Sequence, residues 1–256
     1  MATVLDMILA AHRQAAAADG RDPDALVERA RADTPQPRDF RAALAGTGLS
    51  VIAEVKRRSP SKGDLAPDLD PALLAKAYAE GGAAALSVLT DERHFGGSPA
   101  DLRAARAGCD LPVLRKDFTV DARDVADARL MSADAVLLIV SALSETELAR
   151  FLALAADLGL AALVEVHDEE ELDRALDAGA GIVGVNQRDL RTFEVDRTLA
   201  ARLRPLIPPG VAAVAESGIQ NRADVPEGFD AILVGESLVT APDPAAAINE
   251  LRGGRP

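Results

Sequence analysis

The chain has 256 residues, 48% of them hydrophobic, enough for one large core and within the range in which an α/β barrel forms a single domain. A net charge of -13 and a pI near 4.7 leave no basic surplus to displace counterions, which argues against nucleic acid or an anionic membrane as partner. A single cysteine, Cys109, rules out an intrachain disulfide and points to a reducing compartment, and the three histidines His12, His94 and His167 offer little from which to build a zinc site.

The opening M-A-T-V-L-D-M-I-L-A-A-H-R lacks the basic stretch of a signal peptide, and Asp6 interrupts its apolar run. No segment approaches ~18 uninterrupted apolar residues. A soluble, cytoplasmic protein is expected. Residues 1–48 read as a helical leader: Leu5, Ile8, Leu9 and His12 share one face, followed by short helical pieces over Leu26 to Ala32 and Phe40 to Leu44. From residue 49 the pattern changes. Short apolar runs recur at Val51 to Val55, Ala84 to Leu89, Val113 to Leu114, Ala135 to Val140, Ala162 to Val166, Ile182 to Val185, Ala212 to Ala215 and Ile232 to Val234.

Helical stretches with explicit start signals lie between these runs. Asp70-Pro71 and Ser98-Pro99 pair an N-cap with proline in the first turn, Ser144 with Glu147 spells a capping box, and Asp168 to Glu171 places acid in a first turn. Leu73, Leu74, Ala77 and Tyr78, and later Leu148, Phe151, Leu152 and Ala155, have the spacing of helices buried along one stripe. Strand-helix units in series without a linker predict a (β/α)8 TIM barrel over residues 49–256, carrying the leader as an N-terminal helical extension. An open doubly wound sheet is the alternative. Gly179-Ala180-Gly181-Ile182-Val183-Gly184 matches a dinucleotide-binding fingerprint, but it leaves a helix and enters a strand, the reverse of the required order, so it reads as a helix end and tight turn.

In a barrel of this kind chemistry sits where strands end. The first run carries Glu54 and Lys56 at its end and breaks into R-R-S-P-S-K-G. Opposite charges there are costly to desolvate unless they pair or face a cavity. The third run delivers Arg115-Lys116-Asp117-Phe118, the fifth holds Glu165 between valines, the sixth ends in Asn186-Gln187-Arg188, the seventh in Glu216-Ser217-Gly218 and the eighth in Gly235-Glu236-Ser237. Only Lys56, Lys62, Lys76 and Lys116 are lysines among 28 basic residues, and arginine cannot replace lysine in giving up a proton. Ser217-Gly218 and Gly235-Glu236-Ser237 put backbone N–H groups where this fold commonly holds a phosphate, while Lys56, Lys116 and Arg188 supply positive charge. Glu54 and Glu165 are candidates for proton transfer. Each residue also has a structural reading, as an ion pair or a turn; jointly they suggest one site for a phosphorylated, doubly anionic molecule handled by acid–base chemistry.

These residues resemble the indole-3-glycerol phosphate synthase family. The matching stretches are V-I-A-E-V-K-R-R-S-P-S-K-G (51–63), S-V-L-T-D (87–91), F-G-G-S (95–98), P-V-L-R-K-D-F (112–118), A-L-V-E-V-H-D (162–168), G-V-N-Q-R-D-L (184–190), A-E-S-G-I (215–219) and L-V-G-E-S-L (233–238), in order along the whole barrel. The resemblance implies a lyase of tryptophan biosynthesis, free of metal and cofactor, that closes the ring of 1-(2-carboxyphenylamino)-1-deoxyribulose 5-phosphate and releases CO2 and water. It further implies that Lys116 is the general acid at the ketone oxygen and Glu165 the second acid–base group, used in dehydration. Lys56 would hold the substrate carboxylate and also donate a proton, with Ser59 and Arg188 close by. Glu54 and Asn186 would bind the hydroxyl and amine region, Phe118 would line the aryl pocket, and Ser217, Gly218, Gly235 and Glu236 would cradle the phosphate.

Departures from the family pattern are few. Gln187 stands where a second asparagine is usual and is expected to have little effect; Arg123 replaces a common tyrosine and Ser132 a common glycine. The chain ends after the eighth unit, so no fused second enzyme is expected, and it is expected to act as a monomer on a small phosphorylated substrate. Two alternatives remain, a non-catalytic phosphate-binding barrel and a phosphosugar isomerase of the same fold. A pure binder has no need of both Lys116 and Glu165. The isomerase would want a thiol or carboxylate pair at other strands, whereas Cys109 precedes the third run.

Overall fold

The computed structural model describes residues 3–32 and 34–254; positions 1, 2, 33, 255 and 256, which fall in the predicted leader and barrel, lie outside the described residues. Eight parallel strands close into a barrel: β1 Ser50–Val55, β2 Ala85–Leu89, β3 Val113–Lys116, β4 Ala135–Ile139, β5 Ala161–Val166, β6 Ile182–Asn186, β7 Ala212–Glu216 and β8 Ala231–Val234. Closure is made by β8 returning to β1, with Ser50 opposite Ala231 and Ala53 opposite Val234, which excludes the open sheet. Such strands read as continuous apolar runs because side chains fill the interior and helices cover the outside. Accordingly β1, β2 and β4 are buried at every residue.

The leader forms α1 Val4–Ala18, α2 Pro23–Ala32 and α3 Phe40–Leu44; around the barrel follow α4 Pro71–Glu80, α5 Glu92–Phe95, α6 Pro99–Gly108, α7 Ala122–Leu130, α8 Glu145–Asp157, α9 Glu169–Asp177, α10 Leu199–Leu203, α11 Glu236–Val239 and α12 Pro244–Arg252. Helices start where the sequence places caps. Asp70 accepts from the N–H groups of Ala72 and Leu73, Ser98 from Asp101, and Ser144 and Glu147 close a capping box. Each such cap stabilises its helix by about 1 kcal/mol.

Two expectations are corrected. Leu73 is 68% exposed, because α4 turns a stripe of Pro71, Ala75 and Tyr78 inward instead, and the Tyr78 hydroxyl reaches the Glu54 carbonyl at 3.0 Å. The seventh strand is followed by no α-helix, only a 3-10 turn at Arg222–Asp224. Pro226 lacks an N–H and biases Val225 toward extended backbone, and Gly228 adopts a φ of 80°, so the segment cannot continue as a helix.

The leader wraps the barrel from mouth to base. On α1, the guanidinium of Arg13 donates to the Ala142 carbonyl after β4, and His12 reaches Asp91 after β2. Next, α2 packs along α7, with Arg21 bonded to Asp127 at 2.8 Å. Arg38 then donates through its backbone N–H to Asp134, at the base of β4. Asp134 is buried and also accepts from the Val113 N–H at 2.7 Å and from Arg106, so one carboxylate ties leader, α6 and two strand starts together. No described helix is long and apolar enough to cross a membrane.

Candidate active site

At the mouth of the barrel, alternation along each strand decides which side chains meet. Glu54 and Lys56 are two residues apart on β1 and just beyond it, so they share a side, and Lys56 Nζ lies 2.6 Å from Glu54 Oε1. The last residue of β3, Lys116, places its Nζ 3.1 Å from Glu165 Oε2 on β5 and 3.7 Å from Glu216 Oε2 on β7. Asn186, ending β6, donates from Nδ2 to the other Glu165 oxygen at 3.0 Å. Glu54, Glu165, Asn186 and Glu216 are all buried, so the floor of the mouth is a desolvated network built around two ammonium groups.

One ammonium cannot keep all its neighbouring carboxylates ionised away from water. Burial by itself would pull the Lys116 proton off, but Glu165, Glu216 and Glu54 outweigh it and hold the lysine above its ordinary range. Burial likewise opposes ionisation of Glu165, and Lys116, His167 and the Asn186 amide overcome it, holding that carboxyl well below the usual range. Glu216, farther from Lys116, takes the opposite course. Burial first, then the negative charge of Glu165, push it up to about 8. Its Oε1 is buried with no hydrogen-bond partner among the described residues, so ionisation would leave a charged oxygen unpaired there.

Above this floor lies a cavity of about 660 Å³. Its lining includes Glu54, Lys56, Lys116, Glu165, Asn186, Ser59, Phe118, Arg188, Ser217, Gly218, Gly235 and Glu236, the full set of residues proposed from sequence. Ser59 belongs to a small antiparallel hairpin, Arg58–Ser59 with Gly63–Asp64, that follows β1. Lys62, at its tip, forms an ion pair with Glu236 across the mouth. On the other side, Arg188 donates to the Phe193 carbonyl at 2.9 Å and pairs with no carboxylate among the described residues. Phe118 packs between Phe95 and His12, with ring centroids 6.4 and 5.3 Å away. Ser217 and Gly218 both have positive φ, turning the chain sharply after β7, and Gln187 Nε2 donates to the Ser217 carbonyl at 2.8 Å from outside the cavity. Gly235 leaves room for the ion pair, since a Cβ there would fall on Glu54 Oε1 and crowd Lys56 Nζ.

Several participants were not assigned a role from sequence. Glu216 was noted only as a strand end, although its place directly before Ser217-Gly218 was a signal. Gly184, the last glycine of the rejected fingerprint, has a purpose in the site, because a Cβ there would fall on Glu216 Oε1 and press on Leu163. His167 lies two residues after Glu165, the same-side spacing that pairs Glu54 with Lys56, and its Nε2 sits 3.4 Å from Glu165 Oε1. His12 is tied by Nε2 to Asp91 at 3.0 Å, a partner 79 residues away that no local pattern indicates. Cys109 caps the end of α6 ahead of β3 and does not line the cavity.

Chemically, the floor offers an ammonium donor beside an ionised carboxylate. The rim offers a guanidinium that pairs with no carboxylate among the described residues, an aromatic wall and two glycine turns. The family profile described as indole-3-glycerol phosphate synthase matches residues 5–251. Indole-3-glycerol phosphate synthase 2 of Streptomyces coelicolor is 54% identical over 234 residues, covering 90% of this chain and 91% of its own. The indole-3-glycerol phosphate synthase of Mycobacteroides abscessus is 51% identical over 254 residues, covering 97% and 93%. Among solved structures, a thiamine phosphate pyrophosphorylase from Pyrococcus furiosus superposes with a TM-score of 0.61 at 21% identity, over 80% of this chain and 94% of that one, and KGPDC from Streptococcus mutans with 0.60 at 14%, over 81% and 97%. At that identity the structural likeness speaks for the barrel alone, whereas the sequence matches run through every strand end described above. By that extent of similarity, the chain belongs to the indole-3-glycerol phosphate synthase family.

Proposed function

We propose that this protein converts 1-(2-carboxyphenylamino)-1-deoxyribulose 5-phosphate to indole-3-glycerol phosphate, with loss of CO2 and water. The observation that carries the reading is the pairing of a single lysine, Lys116, with a buried ionised carboxylate, Glu165, at the closed end of the cavity. Attack of the aryl carbon on the ketone breaks aromaticity and develops charge on oxygen. A proton donor at that oxygen accelerates the step by about 10²- to 10⁴-fold. Lys116 is that donor; an arginine would keep the charge and fail at the transfer.

Departure of the carboxylate as CO2 then restores the aromatic ring. Lys56 holds that carboxylate beforehand, with Arg188 and Ser59 alongside, and protonates the hydroxyl that leaves as water. Glu165 is the second acid–base group, serving the dehydration. Glu54 and Asn186 orient the hydroxyl and amine region, Phe118 supports the aryl ring, and the backbone at Ser217, Gly218, Gly235 and Glu236 receives the phosphate. To these we add Glu216, whose carboxyl lies 3.7 Å from Lys116 Nζ. Every step is a proton transfer or a carbon–carbon bond change within reach of these groups, so no cofactor is called for. The acidic, single-cysteine chain would work as a cytoplasmic monomer, one barrel domain with residues 1–48 as its extension.

The test is direct because the chain contains no tryptophan and one tyrosine, so indole emission rises from a dark background. Purified protein with substrate is expected to give a growing indole signal and stoichiometric CO2. Substrate that binds and is released unchanged would instead support a phosphate-binding barrel.

A further inference from the structure

Behind Glu165 lies a second cleft of about 360 Å³, separate in most of its lining from the first. Asn186 borders both, while His167 and Glu171 belong only to the second. His167 bridges the gap between them. Its Nε2 is 3.4 Å from Glu165 Oε1, and its Nδ1 is 3.0 Å from Glu171 Oε2. The same Glu171 oxygen accepts the His167 backbone N–H at 2.9 Å, so backbone and ring are fixed by one acceptor. Glu171 is itself set by the first turn of α9, where its N–H donates to the Asp168 cap. The ring is thus held on its far side and faces Glu165 with Nε2; that nitrogen is buried, makes no hydrogen bond among the described residues, and has Glu165 Oε1 at ion-pair distance.

We propose that His167, anchored by Glu171, is a positioning residue that keeps Glu165 oriented and ionised, so that Glu165 acts in the dehydration as the base that removes the C2 proton. The inference rests on the acid–base role given to Glu165 above and adds the residue that positions it. A histidine between two carboxylates favours its doubly protonated form, and burial, which opposes this, is outweighed by Glu165 and Glu171. Held in that form it sets a positive charge 3.4 Å from one Glu165 oxygen, while Lys116 donates to the other at 3.1 Å. The charged groups facing His167 are Glu165 on the strand that ends just before it, Glu171 on α9, Glu216 across the barrel, and Asp168, Asp189, Arg191, Glu194, Asp196 and Arg202 on the wall of the second cleft.

The proton balance closes under this assignment. Lys116 loses N–H as the ketone oxygen gains O–H. Later the C2–H bond breaks, its electrons form the C2–C3 double bond, and the proton moves to Glu165. Glu165, 3.1 Å from Lys116 Nζ, hands that proton back to the neutral amine and both are reset. The hydroxyl leaves as water with a proton from Lys56, and this is the one proton per turnover that solvent must replace, matching the carboxylate lost as CO2.

The test compares pH profiles of kcat for the full-length protein with those of His167→Asn, Glu171→Gln and Glu165→Gln. His167→Asn retains a polar group without its charge. It is expected to move the acid limb of kcat upward by about 1–3 pH units while KM stays within about twofold, because Glu165 loses one of its two cationic neighbours. Glu171→Gln weakens the hold on the imidazolium and is expected to bring the alkaline limb down, with loss of rate as His167 gives up its proton. A uniform drop in kcat at every pH, or an unchanged profile, for both variants would overturn the proposal. Glu165→Gln separates the two readings: full turnover there removes the role of Glu165 itself, whereas loss of turnover there with an unshifted His167→Asn profile removes only the role of His167.

Discussion

Glu216 gives the most quantitative handle on the electrostatics of the barrel floor. In the folded protein, burial and the charge of Glu165 push its carboxyl up to about 8, against an ordinary value of 4.5. Folding therefore favours the protonated acid. The stability associated with that proton is fully present below the unfolded value, declines as pH rises, and is lost once pH passes the folded value. Each pH unit in that window costs about 1.4 kcal/mol, so the full loss is on the order of 5 kcal/mol by about pH 8–9. Glu216→Gln keeps the shape of the protonated acid and abolishes its titration. Urea unfolding followed by circular dichroism between about pH 5 and 9 should show variant and parent nearly equal at the acid end. The variant should then become progressively more stable, with about two thirds of the gap already open at neutrality and the rest by about pH 8–9. Parallel curves across the range would refute the assignment of the proton to Glu216, and a variant that loses ground as pH rises would reverse its sign.

Other substitutions probe the remaining contacts. Lys116→Met should lower turnover by about 10²- to 10⁴-fold yet still bind product, and Lys116→Arg should not restore the rate; stopped-assay kinetics with product titration check both. Gly184→Ala places a methyl on Glu216 Oε1 and against Leu163, and overpacking of this kind costs about 1–3 kcal/mol, with a fall in kcat as Glu216 and Lys116 are displaced. Gly179→Ala, at a φ of 86° in the turn of the same motif, should reduce stability alone, so equal kinetic effects of the two would count against the role given to Gly184. Asp134→Ala strands Arg106 and removes the acceptor of Arg38 and Val113 at the base, and should cost about 3–5 kcal/mol in chemical denaturation while leaving KM unchanged at permissive temperature.

What could be read in advance follows from the range over which each signal acts. Helix starts were legible because a cap such as Ser144 and its partner Glu147 lie within one turn, and the strands because a parallel barrel buries both faces of each. Strand-end residues were legible as a set, since the fold itself fixes where chemistry gathers. The missing helix after β7 was hidden because Pro226 and Gly228 read equally well as a helix boundary. Leu73 was misplaced because leucines at adjacent positions fit two stripes, and only the contact of Tyr78 with the Glu54 carbonyl selects between them. Pairings such as His12 with Asp91, or Arg38 with Asp134, join segments far apart in the chain and leave no periodic trace. The upward push on the Glu216 carboxyl could not be read either, since it depends on burial and on the distances of three carboxylates from one lysine. Ser132 adopts a φ of 65°, a left-handed conformation that its own side chain does not announce.

The most direct measurement is a crystal structure of the Lys116→Met protein with indole-3-glycerol phosphate bound. The phosphate is expected against the backbone of Ser217, Gly218, Gly235 and Glu236, the indole face against Phe118, and the former keto carbon between residue 116 and Glu165. Phosphate and ring found in the second cleft beside His167 and Glu171, or a product that leaves the 660 Å³ cavity empty, would contradict the site.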